Sequence, residues 1–261
     1  MSEQGVSDLE FLHAKTLDRP GIVHAFTTRH GGVSTGGYAS LNLSWKDGDD
    51  TGAITENRRR VTEALGLDRL IFLNQVHGNT VHRVDSIPET GWSVGQGDAM
   101  ITNVPRLGLV TQTADCTPVL LFDPVRRAVG AVHSGWRGTV QDVAGETVEA
   151  MVREYGTDPA ELLAAIGPAI APENYRVGPE VLDQFEDLFG SLEGLALERD
   201  AEGGAGIDVS EAVRRQLAAA GIPEAQIERL PVCTFADDRF FSCRRAKGTP
   251  FGGQAGIIAL T

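Results

Sequence analysis

Three cysteines in 261 residues, Cys116, Cys233 and Cys243, are too few and too odd a number for a disulfide framework. A reducing, cytoplasmic setting follows, in which each thiol is a core residue, a metal ligand or a nucleophile. No apolar run is long enough to span a bilayer. The opening MSEQGVSDLE lacks the basic-then-apolar order of a secretory signal. Positive charge is also scarce: 23 Lys and Arg stand against 36 Asp and Glu, a formal net charge of -13. Such a surface repels phosphate backbones and anionic lipid, which excludes general binding to nucleic acid or to membrane surfaces. A small anion met by a few local arginines remains compatible with it. Tandem repeats, low-complexity segments and Pro/Ser linkers are absent, so residues 1–261 read as a single domain, and 41% hydrophobic residues suffice for a sizeable core.

Periodicity supplies the elements. Apolar positions spaced i, i+3, i+4 and i+7 predict a helix over 139–155, from Val140 through Val148 to Tyr155, with Gly156 placed to end it. The same reasoning predicts helices over 56–65, 179–189 and 210–220, and a short one after the cap and first-turn pair Asp158-Pro159. Apolar runs predict strands over 71–73, 107–113, 118–122, 128–132, 163–166, 230–234 and 255–260; the EGGAG stretch over 202–206 reads as a surface loop. Between 107 and 132 there is no room for helices, so those three strands are expected to be antiparallel neighbours. The class is therefore α+β with mixed or antiparallel sheets and flanking helices, not a doubly wound fold.

Three ligand-type residues fall where strands meet loops: His77 in LNQVHGN, Cys116 in TADCTP and His133 in AVHSGWRG. Two imidazoles and a thiolate suit zinc, and three protein ligands leave one coordination position for water or substrate, as catalytic sites do. Asp115 and Gln75, close to two of these ligands, are placed to orient them or a water. Spacing alone leaves other readings open. His82 competes with His77 as ligand, a histidine at a strand end is often structural, and Cys116 is equally a small buried hydrophobe. No HExxH motif is present. No GK[ST] follows HGGVSTGG at 30–37, which reads as a tight loop and not a P-loop.

From the segments FTTRHGGVSTGGYASLNL, ENRRRV, NQVHG, GDAMIT, TADCTPVLLFDP, AVHSGWRGT, IGPAIAPENYRVGPEV and FFSCRRAKGTPFGGQAGIIAL, the chain resembles the polyphenol oxidase (laccase) domain family, the YfiH-like proteins regarded as purine nucleoside phosphorylases. The resemblance runs over nearly the whole chain. It implies a YfiH-like fold, one zinc per chain on His77, Cys116 and His133, and action on adenosine, inosine, guanosine and methylthioadenosine with phosphate to give base and ribose 1-phosphate. It also implies an adenosine deaminase activity. The partners are thus small purine nucleosides and phosphate, with a monomer or homodimer both compatible. The ending departs from the family's SYRRD…TGR: Cys243 stands for the tyrosine, Ala246 for the aspartate and Gln254 for the later arginine. Six histidines without HxH pairs do not suit a multicopper oxidase.

Phosphorolysis requires an anion site and a way to discharge the leaving base. Arg29, Arg58 and Arg137 are the candidate phosphate clamps, Arg137 in GWRG also being the candidate catalytic cation. Asp115 is the candidate catalytic carboxylate; Asp98, a second carboxylate, is grouped with Gln75, Arg29 and Arg58 as substrate-binding. The cytidine-deaminase signature H-x-E with PCxxC is absent. Two further readings stand beside these: a hydrolase with Cys116 as nucleophile and His133 as base, and a zinc-stabilised binding module.

Overall fold

The computed structural model describes residues 8–45, 48–86 and 93–261. Residues 1–7, most of the segment read above for a signal, lie outside the described residues. In chain order the strands are β1 (Phe11–Leu12), β2 (Ile22–Thr27), β3 (Arg69–Asn74), β4 (Val81–Arg83), β5 (Ser93–Gln96), β6 (Ala99–Thr102), β7 (Leu107–Thr113), β8 (Thr117–Asp123), β9 (Ala128–Ser134), β10 (Leu163–Ile166), β11 (Arg176–Val177), β12 (Ala205–Gly206), β13 (Ile227–Arg229) and β14 (Gln254–Leu260). The helices are α1 (Thr51–Ala64), α2 (Trp136–Val140), α3 (Val143–Tyr155), α4 (Pro179–Phe189), α5 (Val209–Ala219) and α6 (Cys243–Ala246). One six-stranded sheet runs β1-β2-β14-β7-β3-β5 and another runs β13-β10-β8-β9-β6-β4, while β11 and β12 form a small ribbon. Among the described residues no helix is long and apolar enough to cross a membrane.

The two large sheets face each other, with helices on both outer sides. Between them lie Phe26, Ile71, Leu109 and Ile258 from one sheet and Met100, Leu120, Phe122 and Ala131 from the other. Alternation within a strand then sends the neighbouring residues outward. Val119, Leu121 and Val132 pack against Val148 and Met151 of α3, Phe185 of α4 and Val213 of α5. On the far side Leu70, Phe72, Val110 and Ile257 meet Val61 of α1. Every residue of β8 and β9 is buried, which is why these strands read as unbroken apolar runs and not as alternation.

The mixed-sheet α+β class is as expected, and 163–166 and 179–189 fall on β10 and α4. The helix expected over 139–155 is two helices. Asp142 enters the left-handed region (φ 56) and its side chain accepts from the Gly145 amide to cap α3. Val140 packs on the same core as Val143, so the apolar period runs through the break. Of the three strands between 107 and 132, β8 and β9 are antiparallel neighbours, but β7 belongs to the other sheet, antiparallel to β14 and parallel to β3. The link from β7 to β8 changes sheets instead of turning a hairpin. Pairing with β10 occurs at Ile227–Arg229, upstream of the strand expected over 230–234, which keeps only an isolated bridge between Cys233 and Ala169. The helix expected over 56–65 starts earlier, at Thr51, where Asp50 accepts from the Ala53 amide. Ala205 and Gly206, expected in a surface loop, are buried in β12.

Gly167, just after β10, fits only without a side chain: a Cβ there would lie 2.2 Å from Cε1 of Phe26, a ring buried between the sheets. Gly167→Ala is expected to lower stability by about 1–3 kcal/mol through overpacking, read as a lower denaturant midpoint; an unchanged midpoint would contradict this account of the core.

Candidate metal centre and cleft

His77 follows β3 of one sheet, whereas Cys116 precedes β8 and His133 lies in β9 of the other. Their ligating atoms all lie within 4.8 Å of one another. Cys116 Sγ is 3.9 Å from His77 Nε2, and the two imidazoles meet edge to face, 4.8 Å between centroids. Zinc bonds of about 2.3 Å to sulfur and 2.0 Å to nitrogen, at a tetrahedral angle, separate the donors by about 3.5 Å. A small inward movement therefore fits this group around one ion. Gly135 keeps the space open, since a Cβ there would lie 2.8 Å from His77 Cδ2 and 3.1 Å from Cys116 Sγ. His82, the competing ligand, sits in β4 with its Nε2 against the Gln96 carbonyl at 2.7 Å and is not part of the group.

Asp98 organises two of the candidate ligands, His77 and His133. Fully buried, it accepts from the amides of Val76 (3.3 Å), His77 (2.9 Å) and Gly78 (2.7 Å) and from His133 Nδ1 (2.8 Å). It thereby fixes the loop on which His77 adopts a left-handed φ of 62, and it leaves His133 Nε2 free to face the thiol. The substrate contact expected for Asp98 is not what the structure provides: the carboxylate is sealed beneath the ligands. Burial disfavours its charge, but the bonds from His133, Gly78 and His77 outweigh that and hold its pKa below the usual carboxylate range. Burial likewise opposes a thiolate at Cys116, yet the charge of His133 and hydrogen bonds from both histidines bring the thiol down to about 6. Burial opposes charge on His133 too, but Cys116 and Asp98 raise it to about 9.

The group opens on a cleft of about 1170 Å³. Trp45, Phe72, Trp136 and Tyr175 supply aromatic lining, and Arg58, Arg137, Arg244 and Lys247 supply cations. Arg137 is exposed, its guanidinium 4.3 Å from the centre of the Trp136 ring. Arg58 is completely buried, its guanidinium 4.6 Å from the centre of the Trp45 ring and 3.6 Å from that of Phe72, and it donates to the Leu43 carbonyl from Nε (3.0 Å) and Nη2 (2.7 Å). Burial lowers its pKa to about 9. Gln75 lines the cleft with its amide committed to the Gln112 backbone, donating to O and accepting from N at 2.8 Å each. Arg29 does not line it: Nε donates to the Ala39 carbonyl at 2.6 Å and the guanidinium lies over Phe241. Arg29 was expected as a phosphate clamp, but its side chain is committed to the protein, and the glycines that follow it form a tightly packed loop, where a Cβ at Gly32 would lie 2.1 Å from the Ser40 carbonyl oxygen. Asp115 borders the cleft, but both carboxylate oxygens are engaged by the chain, through Thr234, Ser242 and the Arg244 amide; a free proton shuttle, as expected from sequence, is not what it presents.

Arg244, Lys247, Tyr175 and Trp45 were not singled out by sequence reasoning. The first three lie in or beside segments that carry the family resemblance, ENYRVG and SCRRAKG, and the fold brings these to ligands far away in the chain. Of the departing positions, Cys243 lines the cleft, Ala246 ends α6, and Gln254 is buried, accepting from the Phe241 amide at 2.8 Å and donating to its carbonyl at 3.1 Å.

Residues 23–261 match the family model described as multi-copper polyphenol oxidoreductase laccase. A purine nucleoside phosphorylase of Deinococcus radiodurans is 42% identical over 97% of this chain and 93% of its own length. One of Corynebacterium glutamicum is 38% identical over 93% and 96%. Among solved structures, YlmD of Geobacillus stearothermophilus superposes with a TM-score of 0.89 at 32% identity, covering 100% of this chain and 97% of that one. Bacillus licheniformis YfiH gives 0.86 at 32%, covering 96% and 99%.

Cys116→Ser removes the thiolate and Asp98→Asn loosens His133 and the His77 loop, so each is expected to lower metal occupancy, the Asp98 change by about 10- to 100-fold in affinity. Cys233→Ala and Cys243→Ala leave occupancy unchanged, because neither thiol belongs to the group. Elemental analysis of the purified variants reads this directly, and metal loss in either of the last two would require a different ligand set.

Proposed function

The chain belongs to the family described as multi-copper polyphenol oxidoreductase laccase, and on that premise we propose that it is a cytoplasmic, zinc-dependent purine nucleoside phosphorylase. Its substrates are adenosine, inosine, guanosine or methylthioadenosine with phosphate, and its products are the free base and the corresponding ribose 1-phosphate. The observation that carries the reading is the His77–Cys116–His133 group opening on a cleft lined by cations and aromatic rings, in a chain whose curated relatives are named for this activity. One zinc is favoured over several coppers, because the described residues bring together one such group and two imidazoles with a thiolate suit zinc.

Zinc bound there supplies Lewis acidity and an open coordination position. The chain's own residues do the rest. Arg137, with Arg244 and Lys247, gathers phosphate by charge-assisted hydrogen bonds. Their local field prevails over the net charge of -13, since exposed charges are screened over about 10 Å. A phosphate oxygen forms the new bond to C1′ of the ribose as the bond to the base nitrogen breaks; the bonding pair leaves with the base, which takes up a proton. The aromatic lining offers faces for the purine. Gln75 and Arg58 shape the wall, and deamination of adenosine by water is a second activity of the same cleft.

One observation favours a different chemistry. A Cys116 thiol held at about 6 beside His133 is what a cysteine nucleophile needs when no metal is bound.

Base release from adenosine or inosine is expected to require phosphate and to yield ribose 1-phosphate, measured by separating the purine products with and without phosphate. Arg137→Ala should raise the KM for phosphate about tenfold, more than the KM for nucleoside. Conversion of adenosine at an equal rate without phosphate, giving only inosine and ammonia, would replace this reading with a deaminase. Absence of both, with rapid alkylation of Cys116 in metal-free protein, would leave the cysteine hydrolase as the better reading.

A further inference from the structure

Asp115, immediately before the ligand Cys116, has a φ of 98, a conformation rarely adopted by residues other than glycine. Its buried carboxylate ties the loop before Cys116 to two segments near the end of the chain, at Thr234 and at Ser242–Arg244. Oδ1 accepts from the Thr234 hydroxyl at 2.7 Å. Oδ2 accepts from the Ser242 hydroxyl at 2.9 Å and from the Arg244 amide at 2.7 Å. Ser242 in turn caps α6, its Oγ accepting from the Arg245 amide at 3.1 Å. The paired arginines then diverge. Arg245 turns into the protein and donates to the carbonyls of Thr234 (2.9 Å) and Phe235 (2.8 Å). Arg244 crosses the Tyr175 ring at 4.9 Å and, with Lys247, lines the cleft that Cys116 also lines.

We infer that Asp115 is a positioning residue: through the Ser242 hydroxyl and the Arg244 amide it holds the short helix α6, so that Arg244 and Lys247 meet the phosphate. The inference rests on the phosphorylase reading above. Truncation of the carboxylate leaves two hydroxyls and an amide without their buried acceptor, and the cationic segment loosens while His77 and His133 keep Asp98 as their support. An asparagine preserves the anchor. Its carboxamide oxygen accepts from Ser242 and Arg244, and its NH₂ donates to the Thr234 hydroxyl, which rotates to accept. A carboxamide does not carry a proton in catalysis, so the two variants separate positioning from proton transfer.

The test uses the full zinc-loaded chain with Asp115→Ala, Asp115→Asn and Arg244→Ala. It combines zinc analysis, amide hydrogen exchange over 243–247, calorimetric titration with inorganic phosphate, and steady-state kinetics. Asp115→Ala is expected to keep its zinc, to exchange faster at Arg244, and to bind phosphate about tenfold more weakly, the scale of one charge-assisted hydrogen bond. Its kcat and nucleoside KM should stay within about threefold, and Asp115→Asn should match the parent protein. A collapse of kcat in Asp115→Asn at unchanged phosphate KM would overturn the inference, as would unchanged phosphate binding or loss of zinc in Asp115→Ala. If the parent protein shows no phosphate-dependent turnover, the phosphorylase reading fails separately. Weaker phosphate binding in both Asp115→Ala and Arg244→Ala would still support the anchor, and unchanged binding would still overturn it.

Discussion

A single buried carboxylate ties together two pieces of the candidate centre, the loop of His77 and the strand of His133. Asp98 lies just before β6 and receives three successive loop amides together with the imidazole of His133. Its charge is tolerable inside the protein because those donors surround it, and it in turn fixes their positions. The loop carrying His77 and the strand carrying His133 are therefore set relative to each other before any ion arrives. Such preorganisation keeps His77 and His133 within reach of one another.

Sequence reasoning singled out His77, Cys116 and His133, which the fold brings together, but not this support, for a physical reason. His77, Cys116 and His133 are chemically distinctive residues at the ends of apolar runs, and the family resemblance names them. Asp98 sits in a QGD stretch that looks like an ordinary turn, and nothing in its spacing tells that it points inward. The arginines show the converse. Arg29 and Arg58 have the glycine-rich or helix-start settings associated with anions, yet Arg29 bonds to a carbonyl and Arg58 is buried against two aromatic rings. Cation chemistry is readable from sequence; whether a guanidinium faces solvent or a carbonyl depends on tertiary packing. Element identity was legible where a helix buries one face, as in α4, and where a short apolar run is buried almost throughout, as in β10. It failed where a short link changes sheets, between β7 and β8, and where Asp142 restarts a helix whose apolar stripe continues unbroken.

The cleft gathers residues that are remote in the chain. The aromatic and cationic lining comes from Trp45 before α1, from α1 and β3, from the start of α2, from Tyr175 just before β11, and from α6 and the residue after it. In a chain of strongly acidic composition these cations are concentrated where the ligands open. The departures from the family ending fall in the same place. Cys243 lines the cleft itself, whereas Gln254 works one layer below, holding the Phe241 backbone by both its hydrogen-bonding groups.

The ligand arrangement has a mechanical side as well. His77 lies in the link from β3 to β4 and Cys116 in the link from β7 to β8, both of which pass from one sheet to the other, while His133 lies within β9, so an ion shared by the three would be a reversible cross-link, closing chain loops as a disulfide would. Unlike a disulfide, its strength depends on the free concentration of the ion, because a ligand bound only by the folded state adds to stability in proportion to the logarithm of its saturation. With an ion bound, the hold between these two links and β9 would thus be set partly by the surroundings and not by the polypeptide alone.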